Sequence, residues 1–208
     1  MILTSPPYDN IEGSGYSKMQ KDVLFLKLYS EFLNNILIEL YRILKPSGQF
    51  YLNLKHSTIN KKLKTCHWVE FLDGFSRFYL KSYIIWKYAG SFDSSFKRFH
   101  LDYEVIYHLA KSDDFEINIG ENERDPLTSV WYIPHNIKER IHPVQMPEQV
   151  AERIIKRGSK KNDLVLDPFA GSGTSLVVAK KCNRNYVGIE INPLHYKNIL
   201  NRLNGILS

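Results

Sequence analysis

The chain alternates stretches with apolar residues at helical spacing and shorter runs rich in β-branched and aromatic residues. The longest helical stretch carries Leu24, Leu28, Phe32, Ile36, Leu40 and Ile43, with Phe25, Tyr29, Leu33, Leu37 and Leu44 beside them, and stops at Lys45-Pro46-Ser47-Gly48. Intervals of three and four place these residues on one face, and the Pro-Ser-Gly run cannot continue a helix, so the pattern predicts a helix with one buried face. Gln49-Phe50-Tyr51-Leu52-Asn53-Leu54 reads as a strand, HSTINKKLK as a basic loop, and HWVEFLDGFSRF as a shorter helical stretch. SYIIWKY (82–88) and YEVIYHLA (103–110) have strand composition, and FEINI and VWYI could each form a short strand. From Pro147 the punctuation sharpens. PEQVAERIIKRG is a helix with proline at its start and glycine at its end; LVLD (164–167) is a strand, TSLVVAKKC a helix, YVGIEI (186–191) a strand, and the tail from Pro193 a last helix.

Strands alternating with helices predict an α/β fold, a mostly parallel sheet flanked by helices, and such sheets bind ligands at the carboxyl ends of their strands. Two chemically unusual stretches fall there: Thr4-Ser5-Pro6-Pro7-Tyr8 and Asp167-Pro168-Phe169-Ala170-Gly171-Ser172-Gly173-Thr174. At 208 residues the chain is long enough for one domain with a sizeable core and too short for two comfortable ones.

Composition changes this picture little. Hydrophobic residues at 43% and charged residues at 24% are near the globular average, which argues against disorder. Twenty-eight Lys and Arg against 22 Asp and Glu give a formal charge of +6, which favours a polyanionic partner without naming one. Cys66 and Cys182 do not make a disulfide framework, and with no membrane-length apolar run or signal segment a cytoplasmic protein with no membrane partner is expected. His67 beside Cys66 does not make a zinc site, so no metal is expected.

The glycines of the 167–174 loop let the backbone turn tightly against a ligand. No Gly-Lys-Ser/Thr follows, which excludes a Walker loop, and the third glycine of the dinucleotide fingerprint is missing. Glu190, 23 residues past Asp167, stands where an acid can accept from both hydroxyls of a ribose, so a nucleoside without a pyrophosphate fits best. DPFAGSGT followed by VGIEINPLHY and preceded by HPVQMPEQVAERII resembles the cofactor half of the DNA amino-methyltransferases that use S-adenosylmethionine. The resemblance implies that Asp167, Phe169, Gly171 and Gly173 surround the methionine part of that cofactor and Glu190 its ribose, that the helix after His142-Pro143 packs beside them, and that Pro168, Ser172, Thr174 and His142 also belong to the cofactor site.

Ser5-Pro6-Pro7-Tyr8 resembles the second motif of that family: Asp, Asn or Ser, then Pro-Pro and an aromatic residue. An exocyclic amino nitrogen is a poor nucleophile because its lone pair is delocalised into the base. The Ser5 oxygen and the Pro6 carbonyl would each accept one amino hydrogen and favour a pyramidal nitrogen. Pro7 restricts Pro6 to extended geometry, so that the carbonyl is preorganised. Tyr8 would stack on a base flipped out of double-stranded DNA. The catalytic motif precedes the cofactor motif, the circularly permuted order of the β group, and the likeness runs from residue 2 to 196 through ELYRILKPSGQFYLNLK and FKRFHLDYEVIYHLAK. It implies a single Rossmann-like methyltransferase domain with an antiparallel strand, in which 1–111 form the catalytic half, 112–141 a short recognition or linker segment, and 142–208 the cofactor half.

In this family Ser at the first motif position is typical of enzymes acting on cytosine N4 and Asp of those acting on adenine N6. The resemblance therefore implies a bacterial restriction-modification enzyme for cytosine N4, with adenine N6 and a non-catalytic DNA- or partner-binding relative as alternatives. Methylation at cytosine carbon 5 uses a cysteine, usually after proline, whereas Cys66 follows Thr65 and Cys182 follows Lys181. Lys61, Lys62, Lys64, Lys97 and Arg98 are the candidates for phosphate contacts. Relatives carry a helix, a strand and an acidic residue before the catalytic motif where this sequence has three residues, which raises the expectation of either a truncated product or a homodimer or complementing polypeptide that covers the sheet edge.

Overall fold

The structure, a computed structural model, describes residues 1–7, 23–59, 62–89, 99, 101–119, 127–135 and 145–206. Its strands are β1 (Ile2–Thr4), β2 (Gln49–Leu54), β3 (Ser57–Ile59), β4 (Lys62–Lys64), β5 (Tyr79–Lys87), β6 (Tyr103–Ala110), β7 (Val130–Tyr132), β8 (Leu164–Asp167) and β9 (Asn185–Gly188). Its helices are α1 (Val23–Ile43), α2 (Asp73–Ser76), α3 (Glu148–Gly158), α4 (Thr174–Lys181) and α5 (Pro193–Leu203). Among the described residues, seven strands form one sheet in the order β7-β5-β6-β2-β1-β8-β9, and β3 and β4 make a separate antiparallel pair.

β1 lies in the middle of the sheet, parallel to β2 on one side and to β8 on the other. β8 and β9 are also parallel, as are β5 and β7, whereas β6 runs antiparallel to both β2 and β5. This is the expected mostly parallel sheet with an antiparallel strand.

The period of two along each strand divides the core into two layers. Ile2, Phe50, Leu52, Leu54, Val105, Tyr107 and Leu109 face α1, meeting Leu33, Leu37 and Leu40. Leu3, Tyr51 and Ile106 face the other way, onto Val150, Ile154 and Ile155 of α3 and Val178 of α4. Three residues suffice for β1 because both faces and both edges of it are covered. Ile2, Leu3 and Thr4 are each at most 2% exposed.

Four expectations change. FEINI joins no strand, the basic loop contains the β3–β4 hairpin, and YVGIEI is ordered as strand only to Gly188. HWVEFLDGFSRF becomes a 3-10 turn, Cys66–Phe71, followed by the single turn of α2. Among the described residues no helix is long and apolar enough to cross a membrane, and no group of three or more His, Cys, Asp or Glu is placed to hold a metal.

Candidate active site

The carboxyl ends of β1 and β8 are neighbours in the sheet, so the two unusual stretches emerge side by side. Thr4, Ser5, Met146, Asp167, Phe169 and Gly171 line one cleft. Its floor is a hydrogen-bonded joint: the Thr4 hydroxyl donates to Asp167 Oδ1 at 2.7 Å, the Phe169 N–H donates to the same oxygen at 3.0 Å, and the Ser175 hydroxyl donates to Oδ2. A carboxylate offers about four acceptor positions, so Asp167 is largely committed to holding the loop together. Burial pushes its carboxyl above the ordinary value, with the bonds from Ser175, Thr4 and Phe169 pulling the other way.

After Asp167 the chain turns through Gly171 at φ 51° and Gly173 at φ 75°, the left-handed region that glycine reaches without a Cβ penalty. A Cβ on Gly173 would also stand 2.8 Å from Ile199 Cγ1, so the loop lies flush against α5. From behind, Arg202 of α5, 5% exposed, donates to the Ser172 carbonyl at 2.9 Å and to Thr174 Oγ1 at 3.1 Å, and its other nitrogen meets Glu148 of α3 at 2.9 Å. The Gly171 N–H donates to Glu190 Oε2 and the Asn192 N–H to Glu190 Oε1, both at 2.8 Å. These two bonds fix the carboxylate and leave about half of its acceptor positions for hydroxyls of a ligand.

On the other wall, Pro6 is buried and Ser5 is half-buried. The Tyr29 hydroxyl of α1 donates to the Pro7 carbonyl at 2.7 Å, and Tyr29 packs on Trp68 at 6.0 Å between ring centroids. Phe32 meets Phe169 edge-on at 5.9 Å, so α1 bridges the Ser5–Pro7 turn and the glycine loop. Asn53 at the end of β2 donates from Nδ2 to Ser5 Oγ at 3.4 Å and to Glu104 Oε2 at 2.8 Å, and Lys55 Nζ lies 4.0 Å from Glu104 Oε1.

Ser5 thus meets Asp167, Phe169 and Gly171 around one cleft, with Pro6 and Pro7 following it in the chain and Glu190 bonded to the loop. Ser172 and Thr174 are buried at the start of α4, where their hydroxyl oxygens are 3.0 Å apart. Pro168 stands in the turn between Asp167 and Phe169. Tyr8, His142, Lys61, Lys97 and Arg98 lie outside the described residues, and Lys62 and Lys64 are described only as the backbone of β4. The sequence reading passed over Thr4, Asn53, Glu104 and Arg202. The available signal was a polar residue flanked by apolar ones in a strand, Asn53 in QFYLNL and Glu104 in YEVIYHLA. Cys66 and Cys182 are both buried and unpaired with each other.

Comparison with known proteins identifies the family and the fold. The DNA methylase family model for N6 and N4 methylases matches residues 1–202. The chain is 31% identical to the type II methyltransferase M.HpaI of Haemophilus parainfluenzae over 92% of its own length and 64% of that protein. It is 30% identical to the DNA adenine methyltransferase YhdJ of Escherichia coli (strain K12) over 98% of its length and 75% of the relative. The chain spans 64% and 59% of the length of the first two curated relatives it matches. The PvuII DNA methyltransferase, described as cytosine-N4-specific, has the same fold, with a TM-score of 0.74 at 16% identity over 99% of this chain and 84% of that one. With the match running through both motif loops and every strand of the sheet, the chain belongs to the N6/N4 DNA methylase family.

Proposed function

We propose that the chain methylates an exocyclic amino group in double-stranded DNA, N4 of a flipped cytosine, with S-adenosylmethionine as donor, as the modification enzyme of a bacterial restriction system. The observation that carries this reading is the shared cleft of Ser5 and the 167–174 loop, joined by the Thr4–Asp167 bond. The residues fit the cofactor: Glu190 keeps acceptor capacity for the two ribose hydroxyls, and the left-handed glycines bring the backbone close to the methionine part. When bound, S-adenosylmethionine supplies an electrophilic methyl group on sulfur.

The chain's own residues prepare the nitrogen. Ser5 Oγ and the Pro6 carbonyl accept its two hydrogens, so that its lone pair leaves the ring plane and faces the methyl carbon. The cofactor, held by Glu190 and the 167–174 loop, would supply that methyl group and take the S–C bonding pair away on its sulfur. One of the two hydrogens held at these oxygens would then leave the nitrogen as a proton released to solvent. Tyr8 stacks on the flipped base, whose extraction costs about a few kcal/mol. Lys61, Lys62, Lys64, Lys97 and Arg98 meet backbone phosphates. On this reading the protein acts in the cytoplasm, where its substrate is.

Adenine N6 is the second reading, favoured by the name of the Escherichia coli relative, a DNA adenine methyltransferase. Incubation with methyl-labelled cofactor and mixed-sequence DNA, followed by digestion to nucleosides and mass analysis, separates the two. N4-methylcytosine is expected, and N6-methyladenine alone would replace the first reading with the second. Ser5→Ala is expected to lower kcat by about 10²–10³, the cost of losing one preorganised hydrogen-bonding group at the reacting centre. Transfer at the wild-type rate would remove Ser5 from the mechanism.

A further inference from the structure

A serine hydroxyl is an ambiguous partner for an amino hydrogen. It rotates freely, and it donates as readily as it accepts. Within the cleft, something must hold the Ser5 oxygen in place and decide which role it plays towards its neighbours. We propose that Asn53, fixed by Glu104, is a positioning residue that orients Ser5 for the amino group; this rests on the proposed function above.

Both residues are deeply buried, Asn53 at 2% exposure and Glu104 at 5%, although each stands among apolar neighbours in its strand. They sit on adjacent antiparallel strands: Asn53 pairs with Ile106, two positions from Glu104, at the end of the sheet where the catalytic turn leaves β1. One nitrogen, Asn53 Nδ2, serves both contacts, 2.8 Å to Glu104 Oε2 and 3.4 Å to Ser5 Oγ. An amide nitrogen carries two hydrogens and accepts none, so each contact takes one of them.

The orientation of an asparagine amide is decided by its hydrogen-bond network. An ionised carboxylate only accepts, and Lys55 Nζ, 4.0 Å from Glu104 Oε1, supplies the opposite charge. Glu104 therefore turns the NH₂ side of Asn53 towards itself, because the flipped amide would set Oδ1 against a carboxylate oxygen. With the amide so turned, Ser5 Oγ receives a hydrogen from Asn53. The serine oxygen is pinned in position and enters that contact as an acceptor. The chain of control runs from Lys55 and Glu104 through Asn53 to Ser5, across two strands.

A purely structural role for this pair predicts a different result from a positioning role. Asn53→Ala and Glu104→Gln are compared with wild type and with Ser5→Ala for kcat, for KM towards DNA, and for S-adenosylmethionine binding by calorimetry. Asn53→Ala is expected to lower kcat by about a hundredfold, the scale of a misplaced reacting group, with KM and cofactor affinity within about twofold of wild type. Glu104→Gln keeps the size of the side chain but permits either amide orientation, so an intermediate kcat is expected. The double variant should lose no more than Asn53→Ala alone, because both changes act through one contact. Unchanged kcat in Glu104→Gln and Asn53→Ala overturns the proposal, as does a loss shared equally by cofactor binding. If Asn53→Ala does not fold, Glu104→Gln decides, with wild-type kcat counting against the proposal. If wild type itself transfers no methyl group, the functional reading fails. If Ser5→Ala is impaired while both other variants match wild type, only the present inference falls.

Discussion

Thr4→Val removes a single oxygen and replaces it with a methyl group of nearly the same shape in a strand where valine is well suited. The hydroxyl is 2% exposed and donates to a carboxylate that is 6% exposed, at 2.7 Å. Solvent therefore offers neither partner a substitute. Hydrogen bonds to charged groups contribute about 1.5–3 kcal/mol, and the whole of that range applies here. In a protein of this size the melting temperature moves by about 2–4 °C per kcal/mol, so a decrease of about 3–12 °C is expected. Urea denaturation should show a lower midpoint with an unchanged slope, since the surface exposed on unfolding is the same. The contact itself is isolated by a double-mutant cycle with Asp167→Ala, in which a coupling of about 1–2 kcal/mol is expected. A coupling near zero, or a Thr4→Val variant within about 0.5 kcal/mol of wild type, would refute the claim that this bond joins the two halves of the site.

Two further predictions rest on other parts of the fold. His108 is stacked on Tyr51 at 4.6 Å and bonded through Nε2 to Gln49 Oε1 at 2.9 Å, and burial pushes its imidazole down to about 4. Because the folded value lies below the unfolded one, the stability it contributes is present above about pH 6.5 and is lost as pH falls towards 4, about 3 kcal/mol in all; His108→Gln should flatten the acid limb of stability against pH measured by urea denaturation, and an identical limb would refute this. Gly173→Ala places a Cβ in the left-handed region and 2.8 Å from Ile199 Cγ1; strain of roughly 1–2 kcal/mol plus about 1–3 kcal/mol of overpacking should lower the urea midpoint, and a loss below about 1 kcal/mol would show that the loop yields easily.

Elements whose signals are local were legible in the sequence. The long helix announces itself by spacing and by its Lys-Pro-Ser-Gly stop, and the strand–loop–helix from Leu164 to Lys181 by its glycines. Elements that depend on a distant partner were not. FEINI has strand composition, yet after β6 its backbone finds other partners: the Asn118 N–H donates to the Arg157 carbonyl at 2.8 Å. In HWVEFLDGFSRF the helical pattern yields because Gly74 sits against α1, where a Cβ would stand 2.7 Å from the Asn34 carbonyl oxygen, and the Gly74 N–H donates to Asn34 Oδ1. The site divides in the same way. Ser5, Asp167 and Glu190 belong to motifs whose neighbours in sequence disclose them, whereas Thr4, Asn53, Glu104 and Arg202 acquire meaning only from residues brought to them by the sheet and by α5.

The bond from Thr4 to Asp167 spans 163 positions, and the strand that carries Thr4 is three residues long. Such a strand has little reason to stay in place until a neighbour has formed on each side of it. The serine that follows therefore has no settled address until β8 slots in alongside β1. On the proposed reading, methyl transfer should consequently need both segments paired, with neither half alone showing a fraction of it.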